Sequence, residues 1–183
     1  MSISILSLWW SMLFLVPTLP TEPVINTAVA SDILWAPQKR LSWDDFAGEP
    51  ASNNNHHALT STNMEMKVKC ENNQLKFKVD AVFNPKESWT RNRESHALLA
   101  HEQLHFDITE LHARQLRKKL ATLPNPCTRG AADLNKYANL AFEAWHKEED
   151  LYDRESKHGL EKTIQQEWQA SVQARLKALD AYK

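Results

Sequence analysis

The residues best placed to do chemistry form the pentapeptide His-Glu-Gln-Leu-His at positions 101–105. Residues four apart lie on the same face of an α-helix, so the imidazoles of His101 and His105 can bind one metal ion together. Glu102 lies about 100° around the helix from His101. From there its carboxylate can accept a proton from a water molecule beside the ion. The pattern therefore predicts a zinc site in which Glu102 acts as a general base.

The other histidines near this motif are not expected to be ligands. His112 lies on nearly the same helical face as His105, but seven residues of helix rise about 10.5 Å, which is too far for one coordination sphere. We expect His112 to be a core or interhelical residue. His96 falls on another face of the helix. His56 and His57 lie in a polar loop with no partner motif, and we expect this pair to be solvated.

A catalytic zinc ion needs a third protein ligand and one open position for water. If the first two helices pack as an antiparallel hairpin, His101 faces residues near position 150. His158 precedes Gly159 at a helix break, from which a side chain can turn back over the site, so His158 is the favoured ligand. Asp153 is the alternative, either as a ligand or as a residue that orients a ligand histidine. The other candidates are Glu149, Asp150 and, ranked lower, His146.

Composition excludes several competing kinds of site. The chain has only three glycines, whereas a P-loop, a dinucleotide-binding fingerprint or a nucleophile elbow needs several at close spacing. Its two cysteines are too few for a Cys-rich zinc finger or an iron–sulfur cluster. The 22 basic and 23 acidic residues give a formal net charge of -1. That balance argues against a nucleic acid or an anionic membrane surface as partner.

The amino-terminal residues are typical of an export signal. An apolar run from Ile3 to Val16 is shorter than the roughly 20 residues that span a bilayer. Ala28-Val29-Ala30 then has the small-x-small pattern that signal peptidase cleaves. We expect residues 1–30 to be removed and residues 31–183 to form one periplasmic or secreted domain. Because no Lys or Arg precedes the apolar run, the alternative is an uncleaved anchor, which would be the membrane attachment.

The elements that must position the motif divide into strands followed by helices. Polar and apolar residues alternate from Leu59 to Lys69 and from Leu75 to Ala81, and Asn72-Asn73 between them is a turn signal, which predicts a β-hairpin with one buried face. The segment from Asp32 to Trp43 is expected to add one or two short strands. An exposed strand of the hairpin can align an extended peptide by strand addition.

Three helices are predicted after the hairpin, at 94–120, 131–154 and 162–181, separated by prolines and by Gly159. Strands followed by helices indicate an α+β fold, with a small antiparallel sheet packed on about three helices, one of which is a zincin-like HExxH helix. Cys70 and Cys127 are candidates for one disulfide in an oxidising compartment, where they would join the two halves.

Two stretches of this sequence resemble a known bacterial family. They are residues 101–116 (HEQLHFDITELHARQL) and 152–159 (YDRESKHG), with Gln165 and Trp168 close behind. The family is described as predicted secreted zinc-dependent proteases and has long been catalogued as a domain of unknown function. Its patterns are HEQxHxxI and YDxxTxHG followed by a nearby glutamine.

The resemblance extends from about residue 40 to about residue 170. Residues 41–48 (LSWDDFAG) agree with the family, as does a cysteine on each side of the motif helix. Ser156 replaces the usual threonine but keeps the hydroxyl, and the carboxyl-terminal helix is longer and more polar. The resemblance implies a metal site more strongly than it implies a peptide substrate.

Together these patterns predict an exported zinc metallopeptidase that cleaves a peptide or protein substrate. We expect Zn²⁺ to be held by His101, His105 and His158, and Glu102 to pass a proton to the leaving amine. Tyr152 is a candidate donor to the oxyanion on position alone, and a simple core aromatic is the equal interpretation.

Two other classes of function compete with the peptidase. One is an exported metal-binding protein whose site is structural and does not hydrolyse. The other is an envelope interaction module that uses Trp145, Trp168 and the last helix as a partner surface.

Overall fold

The computed structural model describes residues 31–50, 52, 56–124, 126–128 and 131–183, and the predicted export signal lies outside them. Within these residues two small antiparallel sheets precede three long helices, which confirms the predicted α+β fold. Among the described helices, none combines the length and the apolar character needed to cross a bilayer.

Five strands form the two sheets. They are β1 (Ile33–Leu34), β2 (Ala58–Leu59), β3 (Thr62–Glu71), β4 (Gln74–Phe83) and β5 (Trp89–Thr90). One sheet has the order β1-β4-β3, and β2 pairs with β5 in the other. The predicted first strand of the hairpin began at Leu59, but Leu59 belongs to β2, where it pairs with Trp89. One short strand, β1, forms within the segment 32–43.

The β3–β4 hairpin confirms the alternation seen in the sequence. Asn72 and Asn73 form its turn and have positive φ angles of 51° and 60°. That conformation matches the twist of the flanking strands and is tolerated by asparagine. Met64 and Val79 are buried on one face, whereas Lys67 is exposed on the other. The hairpin therefore packs one face on the helices.

The three helices are α1 (His96–Ala121), α2 (Ala131–Ser156) and α3 (Lys162–Ala178). The side-chain oxygen of Ser95 accepts a hydrogen bond from the backbone N–H of Leu98 and so caps the start of α1. A short 3-10 helix, Asp180–Tyr182, follows α3 in place of the predicted last turn.

Helix α1, which contains the motif, is the central element of the fold. It packs against the β3–β4 hairpin as well as against α2 and α3. Phe106, Ile108 and Leu111 on α1 are fully buried, as are Tyr152 from α2 and Val172 from α3. Burial of such large side chains on several sides fixes the position of α1, and with it the position of the motif.

The motif helix is also tied to the segment before the hairpin. The side-chain oxygen of Gln103 accepts a hydrogen bond of 2.7 Å from the backbone N–H of Leu41. Asp107, one turn further on, accepts hydrogen bonds from Trp35 Nε1 at 2.8 Å and from Arg40 at 3.1 Å. These bonds anchor α1 at Gln103 and Asp107. Breaking them would leave buried polar groups without a hydrogen-bond partner, which is costly in free energy.

Cys70 and Cys127 form the predicted disulfide, which joins positions 57 residues apart. It ties the end of β3 to the short 3-10 helix Pro126–Thr128 between α1 and α2. A cross-link of this length stabilises chiefly by restricting the unfolded chain.

Candidate metal centre

Three donor atoms from α1 and α2 lie at nearly equal distances from one another. The Nε2 atoms of His101 and His105 are 3.2 Å apart. Oδ1 of Asp153 lies 3.1 Å from His101 Nε2 and 3.0 Å from His105 Nε2. In a tetrahedral zinc site with bonds of about 2.0 to 2.1 Å, the donors are separated by about 3.3 Å. The three atoms thus form a triangle of the size that one metal ion requires.

His158 approaches the same group from the solvent side. Its Nδ1 lies 3.3 Å from Oδ1 of Asp153. Donor atoms of His101, Asp153 and His158 all lie within 4.8 Å of one another, so these residues could hold a metal ion. The His158 side chain is 54% exposed, compared with 2% for His101. Both candidates for the third ligand, His158 and Asp153, are therefore next to the motif.

A reversal turn of residues 157–160 places His158 there. Helix α2 ends at Ser156, and Lys157, His158 and Gly159 all have positive φ angles, of 50°, 54° and 80°. A Cβ atom at Gly159 would lie 2.9 Å from Cβ of His101, closer than side chains normally approach. Glycine is required because it fits both the left-handed backbone and this close approach. Gly159 thus ends α2 and turns His158 back, as the sequence indicated.

Gln165 orients His101 through a contact with Nδ1 of its ring. Its Oε1 lies 3.3 Å from His101 Nδ1 and accepts a hydrogen bond of 2.6 Å from the Tyr152 hydroxyl. Because an amide oxygen only accepts, His101 donates through Nδ1–H and keeps the Nε2 lone pair for a metal. In the sequence only the family pattern pointed to Gln165, and α3 supplies it to the site.

Tyr152 lies on the core side of His101. The residue is fully buried, and its hydroxyl donates to Gln165 and, at 3.3 Å, to the backbone oxygen of His101. Burial raises the pKa of the Tyr152 hydroxyl. Because the hydroxyl donates to the buried Gln165 and to the backbone of α1, its proton points away from the cleft. This position fits the core-aromatic interpretation and does not favour a role as oxyanion donor.

Glu149 orients the second motif histidine. His105 Nδ1 hydrogen-bonds to Glu149 Oε2, and Trp145 Nε1 donates to Glu149 Oε1 at 2.7 Å. A carboxylate on Nδ1–H leaves Nε2 free for a metal. Burial alone would lower the pKa of His105, but Glu149 and Asp153 raise it well above its ordinary value. Glu149, one of the candidate third ligands, thus contacts His105 on the side away from the cluster of donor atoms, while Asp150 is exposed.

Glu102 faces a cleft of about 730 Å³ whose lining also includes His101 and His105. The Glu102 side chain is largely buried, and its Oε2 accepts a hydrogen bond of 2.7 Å from the hydroxyl of Thr60. Thr60 follows directly after β2, 42 positions before Glu102. No motif marked Thr60 in the sequence, since only the packing of β2 beside α1 reveals the contact.

Three parts of the described chain line the cleft. One is an unbroken run, residues 56–62, which contains β2; the second is the start of α1, and the third is the end of α2 with the reversal turn. His56 and His57 in the first part are both exposed, and the ring of His56 lies 5.0 Å from that of His158.

The remaining histidines take separate positions. His112 is buried, and its Nε2 lies 2.8 Å from Oε2 of Glu148 on α2, which confirms an interhelical role. Burial alone would raise the pKa of Glu148, but hydrogen bonds from His112 and Arg175 lower it to about 2. His96 is exposed at the start of α1. His146 is exposed on α2 and lines the cleft.

The fold and the site define an α+β protein with an HExxH helix and clustered side chains that could hold a metal ion. The profile of the family described as "Bacterial protein of unknown function (DUF922)" matches residues 38–159, about two thirds of the chain. The chain therefore belongs to that family. The match includes all four clustered donors and Glu102, whereas Gln165 lies beyond it. Comparison with curated proteins found no match, and neither did comparison with solved structures.

Proposed function

We propose that this protein is an exported zinc metallopeptidase in which Glu102 is the general base. The observation that supports it most is the even triangle of His101, His105 and Asp153 donors next to Glu102 in an open cleft. Imidazole nitrogen and carboxylate oxygen are ligands that zinc prefers. Three such ligands leave one position for water, which is the arrangement of catalytic zinc sites.

Asp153 is the third ligand in this proposal. Its Oδ1 is within 3.1 Å of both motif nitrogens, whereas His158 is more than half exposed and its Nδ1 lies 3.3 Å from Oδ1 of Asp153. The sequence favoured His158 because of the helix break. The break does turn His158 toward the site, but α2 brings Asp153 closer to both motif histidines.

Zinc, when bound, would lower the pKa of a water ligand to about 7 and polarise a substrate carbonyl. Glu102 takes a proton from the attacking water and delivers it to the leaving amine. Thr60 occupies Oε2 of Glu102, so Oε1 is the oxygen available to move that proton. Gln165 and Glu149 keep the Nε2 atoms of the motif histidines directed at the site.

A peptide is the substrate class that suits the wall of the cleft. The run of residues 56–62 lines the cleft, and among the described strands β2 pairs with β5 alone. An extended peptide can add to the other edge of such a strand through main-chain hydrogen bonds. The strand placed to do this is β2, whereas the sequence assigned the role to the β3–β4 hairpin.

The decisive experiment compares wild-type protein with Glu102→Gln. We expect about one zinc ion per chain in both, by elemental analysis, and a loss of at least about 100-fold in peptide hydrolysis in the variant, as for loss of a general base. Glu143→Gln is the matched control, because Glu143 is exposed on α2. Unchanged hydrolysis by zinc-loaded Glu102→Gln would reject the proposal.

A structural metal site is the second candidate function. It is favoured by the presence of four clustered donors, which can fill a tetrahedral site and leave no position for water. Replacing His158 by alanine separates the two. An open catalytic site keeps zinc near one per chain in His158→Ala and loses it in Asp153→Ala. A closed structural site loses zinc affinity in both variants, and the wild type hydrolyses no peptide.

The partner-surface alternative has less support. Trp145 is 5% exposed and is held by its hydrogen bond to Glu149. Trp168 is half-buried, with its ring centroid 5.3 Å from that of Tyr152. Neither tryptophan offers a broad apolar face to a partner.

A further inference from the structure

The cleft contains exposed apolar side chains that the proposed chemistry does not use. The described residues include four exposed large apolar side chains, at Leu34, Leu59, Leu140 and Leu160. Leu59 and Leu160 both line the cleft of the metal centre. Leu160 is 79% exposed, the highest value of the four. A single exposed apolar side chain is normal on a protein surface and needs no explanation. Several apolar side chains gathered in a polar cleft indicate a binding surface.

The reversal turn fixes Leu160 beside a ligand histidine. Lys157 and His158 adopt left-handed backbone conformations that are unfavourable for residues with a side chain. Strain of this kind persists only where the surroundings hold it, and it clusters at functional sites. A Cβ atom on Gly159 would lie only 2.9 Å from Cβ of His101, so the turn passes close to His101 and the next residue, Leu160, has a defined position relative to the metal centre.

Leu98 completes the apolar surface from the motif helix. It precedes His101 by three residues and Glu102 by four, so it lies on their face of α1, one turn nearer the amino terminus. Leu98 is half-buried and lines the cleft. Because α2 runs antiparallel to α1, the reversal turn lies toward the same end of α1. Leu98 and Leu160 therefore lie on one side of His101.

We propose that Leu98 and Leu160, together with Leu59, form an apolar subsite for one aliphatic or aromatic side chain of an extended peptide, next to the bond that is cleaved. This inference rests on the proposed peptidase function and adds its substrate preference. Histidines and carboxylates make up much of the remaining lining. The apolar area thus suits a single side chain and not an acyl chain.

The test uses pairs of fluorogenic peptides that differ only in a leucine or a glycine beside the cleaved bond. For zinc-loaded wild type we expect kcat/KM to be about tenfold or more higher with leucine, as for burial of a leucine side chain. Leu160→Ser is expected to lose most of this preference, measured as the ratio of kcat/KM for the leucine peptide to kcat/KM for the glycine peptide within the variant. Leu160 is exposed, so this substitution leaves the core intact.

Leu140→Ser is the matched control, because Leu140 is 52% exposed on α2 and is not a lining residue of the cleft. We expect it to retain the wild-type preference. Cleavage without preference for leucine, or a preference unchanged in Leu160→Ser, would overturn the subsite while leaving the peptidase in place.

A binding measurement keeps the two proposals distinguishable. Calorimetry with zinc-loaded Glu102→Gln, which is expected to bind peptides without cleaving them, should show tighter binding of the leucine peptide and a negative heat-capacity change. If zinc-loaded wild type cleaves no peptide, the peptidase proposal fails. Equal binding of both peptides, or Leu160-dependent binding of a fatty acid but not of peptides, would then reject the peptide subsite too.

Discussion

The hydroxyl of Thr60 donates a hydrogen bond of 2.7 Å to Oε2 of Glu102. Thr60 directly follows β2 and Glu102 lies in the first turns of α1, and both residues line the cleft. A hydroxyl held on one carboxylate oxygen restricts rotation of the side chain and leaves the other oxygen for proton transfer. The strand that lines the cleft thus also positions the proposed base.

Thr60→Val is predicted to lower kcat by about 10- to 100-fold, the scale of one hydrogen bond to a charged group. Zinc content should change little, because the Thr60 hydroxyl bonds to Glu102, which is not one of the three proposed ligands. Steady-state kinetics and elemental analysis measure these quantities. Thr60→Ser restores the hydroxyl and should recover most of the rate.

Thr62→Val is the matched control for Thr60. It removes a second hydroxyl contact between the same segment and α1, the 2.8 Å bond to Thr109, and leaves Glu102 untouched. An equal loss of kcat in Thr62→Val would show that docking of the segment, not the bond to Glu102, sets the rate.

Glu149→Gln is predicted to weaken zinc binding by about 10- to 100-fold, because a neutral amide supports His105 less well than a carboxylate does. A competition titration against a chromophoric chelator measures the affinity. Asp150→Asn removes the neighbouring exposed carboxylate and should leave zinc affinity unchanged. Equal affinity in both variants would exclude Glu149 as the residue that orients His105.

Gly159→Ala is predicted to destabilise the protein by about 1 to 3 kcal/mol and to weaken zinc binding, since a methyl group would meet Cβ of His101 in a left-handed turn. Urea denaturation and zinc titration provide the two readouts. Lys157 in the same turn also has a left-handed backbone, which glycine adopts without strain, so Lys157→Gly should leave the free energy of unfolding unchanged or raise it. Wild-type stability and zinc affinity in Gly159→Ala would disprove the tight packing.

Zinc-free and zinc-loaded protein are predicted to respond to pH in opposite directions. The pKa of His105 is raised above 6.5 in the zinc-free fold, so its contribution to the free energy of unfolding is complete below pH 6.5 and declines as pH rises through the raised pKa. Zinc requires the neutral imidazole, so zinc affinity and the stability it confers increase over the same range.

Denaturation of both forms between about pH 6 and pH 9 checks this prediction, a range set by the ordinary histidine pKa of about 6.5. In the zinc-free form, Glu149→Gln should make the free energy of unfolding fall less steeply as pH rises, because it removes the main charge that raises the His105 pKa. A zinc-free protein that becomes more stable as pH rises would contradict the prediction.

The sequence by itself determined the features that depend on local periodicity. The 3.6-residue period of a helix puts His101 and His105 on one face wherever α1 lies in the fold. The two-residue period of strands and the left-handed tolerance of asparagine likewise specified the β3–β4 hairpin and its turn.

Only the tertiary structure decided which residues complete the site. The contacts of Thr60 with Glu102 and of Gln165 with His101 join positions 42 and 64 residues apart. Such contacts depend on how β2, α1 and α3 pack, which no local pattern encodes. Packing likewise brought Asp153 closer to the motif than His158 and turned the Tyr152 hydroxyl toward the core. The physical reason is that periodicity reports on neighbours along the chain, whereas a metal site is assembled from groups that burial brings together.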